Sequence, residues 1–559
     1  MLKEEIASVN DSAGRVFALG SHPESWAIRA CSVQLDGGGE MDGLELHGCL
    51  ARRARSSRPG DRSENQLRKA VRILALGLAF FAVARPALAN EKALVFTHVT
   101  IIDATGAPAR PDSTVVVSGG RIAELGDTGK IGAPKQADIV DASGKFLIPG
   151  LWDMHVHWYE ADYLTLFIAN GVTGVRLMWG ADVHHRWREQ VEKGELVGPH
   201  MIIASAIIDG PKPFWPGSVS VKNAAEARQA VLIAKSQGAD FIKVYSFLPR
   251  DAYFAIADEA KKQGIAFAGH VTMTITAKEA SDAGQKSIEH LTGILQACSR
   301  REDELMKAAQ NEFRERVADS KPSSFKGVAA WLAQKYNLLE TYDADKAERL
   351  FETFKKNGTW QVPTLTVLRA YAYLDDASFV RDPRLKYMPR SVKGQWGRGK
   401  NPVTKGDTPQ ELAYRKRAFK KSLELVGAMH RAGVEILAGT DVLNPFCFPG
   451  FSLHDELGLL VKAGLSPMAA LQTATRNPAI FMGRENEEGT IEKGKIADLL
   501  LLDANPLVDI ANTKKVNAVV LGGRLFARDS LDQMLAHAEA LAGGKSIADT
   551  FEDHERERH

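Results

Sequence analysis

The chain has 559 residues, of which 45% are hydrophobic and 25% charged, an ordinary composition for folded globular domains. This composition excludes a wholly disordered chain, a collagen, a disulfide-rich scaffold and a polytopic membrane protein. Lysine and arginine number 71 against 69 acidic residues, so the formal net charge of +2 gives no electrostatic reason to expect nucleic acid as a partner.

The first part of the chain differs in pattern from the rest. Residues 1–66 lack a clear hydrophobic period, and we expect a disordered or mis-assigned extension there. Residues 67–89 contain the parts of a secretory signal peptide in order: a basic start, an apolar run and an Ala-x-Ala cleavage site. The apolar run is shorter than the roughly 20 residues that a membrane-spanning helix needs. We therefore expect export to the periplasm or the medium, without membrane contact after signal removal; a buried helix of the fold is the alternative.

The remaining chain alternates short apolar segments with helical stretches. Glycine-punctuated β segments at both ends predict one small β-sandwich domain built from residues 90–143 and 490–528. The strand-like segments between them are 146–153, 174–178, 201–208, 241–246, 266–271, 287–291, 361–367 and 435–441. This alternation predicts an α/β fold, a distorted (β/α)8 TIM barrel over 144–489, with a doubly wound sheet as the alternative. We expect helical insertions near 292–359 and 370–409, and a C-terminal tail at 529–559.

Polar side chains occur at or near the ends of these predicted strands. They are His155, His157, Lys243, His270, His290 and Asp441. The C-terminal ends of parallel barrel strands meet at one mouth, so these side chains can converge. His155 and His157 are two residues apart and point to the same face of a strand. Each histidine alone is typical of a core or loop position, but the whole set predicts a metal site.

Lys243 lies in an apolar strand, where an unpaired lysine is costly to bury. A protonated ammonium cannot bind a metal, because it has no lone pair. Carbamylation by carbon dioxide would convert Lys243 into a carboxylate that can bridge two divalent ions, and a salt-bridged lysine is the alternative. His454 follows the last predicted strand and is a candidate for contact with substrate.

As a set, the motifs resemble the amidohydrolase superfamily, in particular its imidazolonepropionase-like and Xaa-Pro dipeptidase-like members. The matching stretches are 149–157 (PGLWDMHVH), 241–244 (FIKV), 268–270 (AGH), 287–291 (SIEHL), 438–441 (AGTD) and 489–499 (GTIEKGKIADL). The resemblance implies a metal-dependent hydrolase on a distorted barrel with a β-sandwich. It also implies two divalent ions, with zinc favoured. The implied ligands are His155, His157 and Asp441 for one ion, His270 and His290 for the second, and carbamylated Lys243 as the bridge.

The function that the resemblance implies is hydrolysis of an amide, peptide or related C–N or ester bond in a small-molecule substrate. Asp441 would act as general base for a metal-activated water. Tyr245 could donate a hydrogen bond to the developing oxyanion, a core tyrosine being the alternative. A mononuclear deaminase or cyclic-amidine hydrolase and a non-catalytic binding protein stay open. The sequence names neither the substrate nor the oligomeric state, so a homo-oligomer also stays open.

The signal pattern predicts a mature N-terminus at or near Asn90, directly after the Ala-x-Ala site. N-terminal sequencing of the protein from its native host measures this position. Recovery of residues 1–60 in the exported form would contradict the prediction.

Overall fold

The computed structural model describes residues 92–158, 160–318, 337–397, 399–405 and 407–544. The predicted extension and signal segment, 1–89, lie outside these residues, as does the predicted tail from residue 545 onward. Within the described ranges, no helix is both long and apolar enough to cross a membrane.

The secondary structure alternates strands and helices along most of its length. The strands are β1 (Leu94–Ile101), β2 (Arg110–Ser118), β3 (Arg121–Asp127), β4 (Asp138–Asp141), β5 (Phe146–Pro149), β6 (Leu151–Val156), β7 (Val172–Leu177), β8 (His200–Ile203), β9 (Ile208–Asp209), β10 (Val219–Ser220), β11 (Phe241–Val244), β12 (Ala266–Gly269), β13 (Ser287–Glu289), β14 (Trp360–Val362), β15 (Leu499–Leu502), β16 (Val516–Leu521) and β17 (Arg524–Ala527). The α-helices are α1 (Leu164–Ala169), α2 (Asp182–Glu192), α3 (Ala224–Ser236), α4 (Arg250–Gln263), α5 (Ala277–Asp282), α6 (Ile294–Ala297), α7 (Glu302–Ala318), α8 (Ala344–Asn357), α9 (Leu365–Ala372), α10 (Ala377–Val380), α11 (Arg390–Lys393), α12 (Pro409–Arg431), α13 (Phe451–Lys462), α14 (Pro467–Thr473), α15 (Arg476–Met482) and α16 (Arg528–Ala542). Short 3-10 helices are η1 (Ala161–Tyr163), η2 (Pro383–Tyr387) and η3 (Ile510–Lys514).

Strands from the two ends of the described chain pair in one mixed sheet. Its order is β17-β16-β15-β5-β1-β2-β3, and β4 pairs with β1. Strand β5 joins the two ends, because it is parallel to β1 and antiparallel to β15. An apolar cluster that includes Phe96, Val115 and Leu499 lies against this sheet. The expected pairing of the two ends is therefore present, while a two-layer sandwich stays a prediction.

Two further sheets carry parallel strands joined by helices. One has the order β6-β7-β8 and the other β10-β9-β11-β12-β13-β14. All strand pairs in both sheets are parallel, which is the pattern of βαβ units. The predicted α/β class is therefore confirmed. Isolated parallel bridges extend these sheets at Ala204 with Phe241, Gln361 with Ile436, and Val442 with Val156.

Several predicted strands have different bounds in the structure. Segment 201–208 divides between β8, which ends at Ile203, and β9, which begins at Ile208 in the other parallel sheet. The segment 146–153 divides at Gly150, with β5 in the mixed sheet and β6 in the parallel one. A Cβ at Gly150 would overlap the side chain of Thr173, so the chain passes very close to its neighbour there. The segment 435–441 makes one isolated bridge, at Ile436, and no regular strand.

Helices account for the described parts of the insertions and for the last described residues. Between residues 292 and 359 the described part holds α6, α7 and α8, and residues 370–409 hold short helical pieces. Segment 361–367 is mostly not strand, since Thr364 has a left-handed backbone and α9 begins directly after it. The predicted tail begins with α16, which buries Leu531 completely, rather than with irregular chain. Cys298 and Cys447 are both buried and are not joined in a disulfide.

Local capping determines where the long helix α12 begins. Thr408 accepts a hydrogen bond from the backbone N–H of Glu411, and Glu411 accepts one from the backbone N–H of Thr408. Pro409 occupies the first helical position, where its missing N–H is not needed. This capping box orients α12 so that its apolar face packs on the same core as α9.

Candidate metal centre

The structure brings both histidines of the His-x-His motif to Asp441. His155 lies on β6 and His157 just after it, and their Nε2 atoms are 3.2 Å apart. The Oδ1 atom of Asp441 is 3.4 Å from Nε2 of His155 and 3.2 Å from Nε2 of His157. A tetrahedral zinc ion with bonds near 2.0–2.1 Å would hold its ligand atoms about 3.3 Å apart. The three atoms therefore have the spacing of one face of such a tetrahedron.

His290 extends this group. Ligand atoms of His155, His290 and Asp441 all lie within 4.8 Å of one another. His290 follows β13, and its ring centroid is 5.0 Å from that of His270, which follows β12. Four histidines thus converge at the C-terminal ends of parallel strands, and Asp441 joins them from the bridged segment 435–441.

Hydrogen bonds orient the imidazole of His155. Its Nδ1 lies 2.7 Å from a carboxylate oxygen of Glu289, and both side chains are completely buried. A neutral imidazole donates Nδ1–H to a carboxylate, so Nε2 carries the lone pair that faces Asp441. Burial holds the pKa of His155 well below its ordinary value, which keeps the ring neutral.

His270 and His290 have the same arrangement. Nδ1 of His270 lies 2.8 Å from the hydroxyl of Ser246, and Nδ1 of His290 lies 2.6 Å from the hydroxyl of Thr364. Thr364 donates its own hydrogen to a backbone carbonyl, so its oxygen accepts from His290. Burial lowers the pKa of both rings. Nε2 of His290 therefore carries the lone pair that can bind a metal, and Nε2 of His270 does so when Nδ1–H donates to Ser246.

Asp441 is held as a carboxylate at the centre of the group. Burial by itself would raise its pKa, but the nearby His290, His157 and Lys243 outweigh this effect and hold the pKa below its ordinary value. Its backbone N–H donates to the carbonyl of His155. Asp441 and His290 both have φ near +60°, in the left-handed region that few non-glycine residues adopt. Strained backbone therefore coincides with two members of the group.

Lys243 and Tyr245 lie beside the histidines. Lys243 is on β11 with 1% of its surface exposed, and its Nζ is 5.9 Å from the ring centroid of Tyr245. Burial lowers the pKa of Lys243 to about 8, although Glu289 and Asp441 act in the opposite direction. The ring of Tyr245 stacks on His270 at 4.0 Å between centroids, and its hydroxyl accepts a hydrogen bond from the indole N–H of Trp215. Burial raises the pKa of Tyr245, so its hydroxyl stays protonated.

The donor set fits a divalent ion such as zinc. It consists of neutral imidazole nitrogens and a carboxylate, which are ligands that zinc prefers. Two buried ring nitrogens, Nδ1 of His157 and Nε2 of His270, have no hydrogen-bond partner among the described residues. Buried polar atoms without partners are uncommon. Nε2 of His270 is left for a ligand because Nδ1 of that ring contacts Ser246, whereas Nδ1 of His157 lies on the other side of its ring from Asp441.

The sequence patterns missed three ionisable residues behind the metal centre. Glu289 accepts hydrogen bonds from Arg176 at 2.9 Å and from Ser287 at 2.5 Å as well as contacting His155. Asp153 accepts from both the backbone N–H and the hydroxyl of Thr440, next to Asp441. All three residues lie in apolar strands. A charge in such a strand needs a partner, as with Lys243, so their position in the sequence was the signal that could have identified them.

The structure corrects the prediction that His454 contacts substrate. His454 is on α13 with 2% of its surface exposed. Its Nδ1 lies 3.0 Å from the hydroxyl of Thr513, and its Nε2 lies 3.0 Å from the carbonyl of Asn170. Both ring nitrogens are therefore engaged in joining α13 to η3 and to the end of α1. These partners hold the side chain in the core, away from the strand ends.

His454→Gln should alter the pH dependence of stability and leave catalysis nearly unchanged. Burial lowers the pKa of His454 to about 4, whereas an unfolded histidine titrates near 6.5. The unfolded state therefore binds the proton first, and this contribution to stability, complete above about pH 6.5, is lost as the pH falls toward 4. We expect the free energy of unfolding in urea to fall by roughly 1–3 kcal/mol more in the wild type than in the variant across this range. A changed KM with an unchanged pH profile would restore His454 as a substrate contact.

Comparison with known proteins places the chain in a family. Residues 146–526 match the amidohydrolase family. Ochratoxinase from Aspergillus niger is 23% identical over 450 residues, which cover 68% of this chain and 75% of that protein. Imidazolonepropionase from Geobacillus kaustophilus (strain HTA426) is 33% identical over 102 residues, 18% of this chain and 24% of that protein.

Solved structures share the fold. A bottromycin amidohydrolase aligns with a TM-score of 0.64 at 24% identity, covering 81% of this chain and 92% of its own. A Xaa-Pro dipeptidase with bound methionine aligns with a TM-score of 0.56 at 20% identity, covering 78% of this chain and 100% of its own. The family match spans more than half of the chain and confirms the resemblance found in the motifs. The protein is therefore a hydrolase of carbon–nitrogen bonds and belongs to the amidohydrolase family.

Proposed function

We propose that this protein is a binuclear metal-dependent amidohydrolase that cleaves an amide, peptide or related C–N or ester bond of a small substrate. The observation that carries the proposal is the triangle of His155, His157 and Asp441 ligand atoms, 3.2–3.4 Å apart. The names of the similar proteins, which include an ochratoxinase and a Xaa-Pro dipeptidase, support an amide or peptide bond. Export is also part of the proposal and is supported by the signal pattern at 67–89.

The fold that accompanies this proposal is a closed, distorted barrel with a β-sandwich. The isolated bridges at Ala204, Gln361 and Val442 support closure, because they connect the two parallel sheets to each other and to the segment 435–441. Backbone hydrogen bonds such as those from Asp441 to His155 and from Leu437 to Gln361 lie on the same seams.

In the proposed centre, His155, His157 and Asp441 hold one ion, while His270 and His290 hold the other. The 5.0 Å between the His270 and His290 rings supports a second site beside the first. We propose zinc for both, because imidazole and carboxylate ligands suit it.

Lys243 would be the carbamylated bridge between the two sites. It is almost completely buried, yet the described residues contain no ion pair with its Nζ, which disfavours the salt-bridged alternative. A pKa of about 8 leaves a useful fraction of neutral amine near neutral pH, and carbamylation needs the neutral amine. The resulting carboxylate would also remove the cost of burying an unpaired ammonium.

The residues around the centre have complementary roles in the proposed reaction. Bound divalent ions would lower the pKa of a water molecule and polarise the scissile carbonyl. Asp441, a carboxylate within reach of His155 and His157, would accept the proton of the attacking water and pass it to the leaving nitrogen. Tyr245 stays protonated, and Trp215 orients its hydroxyl, so it can donate to the developing oxyanion.

A mononuclear deaminase or cyclic-amidine hydrolase is the second candidate. It is favoured by the compact group of His155, His290 and Asp441, which could hold a single ion. Elemental analysis of the purified protein separates the two candidates: two equivalents of metal per chain support the binuclear hydrolase, and one equivalent supports the alternative.

Asp441→Asn tests the general base. The amide is nearly the same shape as the carboxylate but does not accept a proton, so kcat should fall by about 10²-fold or more on any amide the wild type hydrolyses. Asp498→Asn is the matched control, since Asp498 is also buried but contacts His200 at 2.9 Å and accepts a hydrogen bond from Gly522 in the β16–β17 turn. A substrate library of N-acyl amino acids, dipeptides and lactones supplies the assay. Near-normal turnover by Asp441→Asn would remove it from the mechanism.

Lys243 variants test the carbamate. Lys243→Ala should lose metal and activity, and formate or acetate supplied with zinc should restore part of both by occupying the vacated space. Lys243→Arg should stay inactive, because guanidinium remains cationic and cannot bridge metals. Lys286→Ala is the control, at a lysine just before β13, and should keep its metal and activity without added formate or acetate. Activity of Lys243→Arg together with no rescue of Lys243→Ala would indicate a merely paired lysine.

A further inference from the structure

A cavity of about 330 Å³ opens directly beside the metal centre. His290 and Ser246 form its wall on the metal side, and Ser246 is the residue that contacts Nδ1 of His270. Its other walls come from the segments that follow β12 and β13 and from the helices α6, α7, α9 and α12. A group attached to a carbonyl at the metal centre could therefore extend into this space.

The lining of the cavity is mostly apolar. Side chains that face it include Val271, Ile275, Leu291, Leu295, Leu305 and Met306. Leu305 packs with Leu338 and Tyr414 in a small apolar cluster that connects α7 to α12. Removing apolar surface of a ligand from water is favourable at about 25 cal/mol per Å², so these walls favour a hydrocarbon occupant.

The charged residues at the cavity are already paired within the protein. Glu302 lies 2.6 Å from Lys346, and Arg415 donates to Asp407 at 2.7 Å. The third charge, Lys421, lies 3.0 Å from Glu424 and over a tyrosine ring. A carboxylate entering the cavity would lose its hydration without gaining an uncommitted cation.

Several hydroxyl groups at the cavity bond to the backbone, whereas the buried hydroxyl of Tyr414 has no partner among the described residues. Thr272 donates to the carbonyls of Ser246 and Leu248, and Ser422 donates to the carbonyl of Ala418. Thr292 donates to the carbonyl of Glu289. These three groups satisfy the backbone around the cavity. Tyr414 offers a neutral hydroxyl, which can bond to an uncharged polar atom but supplies no positive charge for a carboxylate.

We propose that this cavity binds an uncharged, apolar arm of the substrate, an inference that rests on the proposed hydrolysis of amides at the adjoining metal centre. Its volume is about twice that of the roughly 150 Å³ cavity that holds a benzene molecule, so it fits one ring with a short linker or a branched alkyl chain. We therefore expect an amide with a hydrophobic arm as the substrate, rather than a dipeptide that would place a charged terminus in the cavity.

Matched amides test the substrate class. In one series the acyl group is acetyl, 3-phenylpropanoyl or succinyl on a constant amine, and in a second series the amine carries the corresponding arm. The phenyl arm should raise kcat/KM by about 10–100-fold over acetyl in one series, as expected for burial of a phenylalanine-sized group. The succinyl arm, similar in length but charged, should give no gain.

Variants of α7 locate the effect. Ala309 faces the cavity, and Ala309→Trp should fill it, lowering the ratio of kcat/KM for the phenyl arm over acetyl by at least 10-fold. Gln310→Trp adds the same side chain at the next, exposed position and should leave the ratio unchanged. Met306→Trp is a second filling variant if Ala309→Trp does not fold.

A binding measurement separates this inference from the proposed function. Calorimetry on zinc-loaded protein compares 3-phenylpropanamide with succinamate, neither of which needs to be hydrolysed. Tighter binding of the neutral probe by the wild type, lost in the filling variants, supports the apolar subsite even if no amide is turned over, and only the proposed function then fails. Two results would contradict the apolar subsite without contradicting the proposed hydrolase. One is a kcat/KM that is the same for the phenyl and acetyl arms, and the other is equal binding of both probes by the wild type and the filling variants. Absence of both binding and turnover overturns both.

Discussion

The buried carboxylate of Glu289 receives hydrogen bonds from the guanidinium of Arg176 and the imidazole of His155. These residues lie on β13, β7 and β6, so one carboxylate ties together three strands from both parallel sheets. Removing one member of such a buried group leaves an uncompensated charge, which typically costs about 3–5 kcal/mol. Arg176 also donates to the carbonyl of Met154, next to the metal-binding motif. The orientation of His155, and with it the geometry around Asp441, depends on this group.

Close backbone packing is the second constraint on the metal centre. Gly269 has φ of +140°, and a Cβ there would overlap the carbonyl oxygen of Val244. Gly439 similarly has no room for a Cβ, because His155 and Val362 lie against it. These glycines let adjacent strand ends approach closely, which brings His270 and Asp441 to the same point. Metal-ligand spacing of about 3.3 Å leaves little tolerance for larger residues at these positions.

The polar centre and the apolar cavity meet at His290, which belongs to both. The polar centre would therefore carry out the reaction, and the apolar cavity would bind the substrate. Neutral imidazoles and a carboxylate lie where a scissile carbonyl would react, while hydrocarbon walls and internally paired charges lie beside them. Substrate orientation would then follow from burial of an apolar arm rather than from an ion pair. The helices that build the far wall come from the chain beyond β13 and from α12, so specificity can vary without altering the ligands.

The sequence by itself determined the α/β alternation and the residues that converge at the strand ends. Strand period places His155 and His157 on one face, and parallel strands bring His270 and His290 to one edge, so local pattern was sufficient for this set. Only tertiary structure decided the partners of buried groups. Glu289 and Arg176 are 113 residues apart, and His454 turned inward because both of its nitrogens found partners on distant elements. Tertiary structure also decided that segment 435–441 makes an isolated β-bridge instead of a strand, and that a cavity forms between α7 and α12. Periodicity reports which residues share a face, but which faces meet is set by packing between elements far apart in the chain.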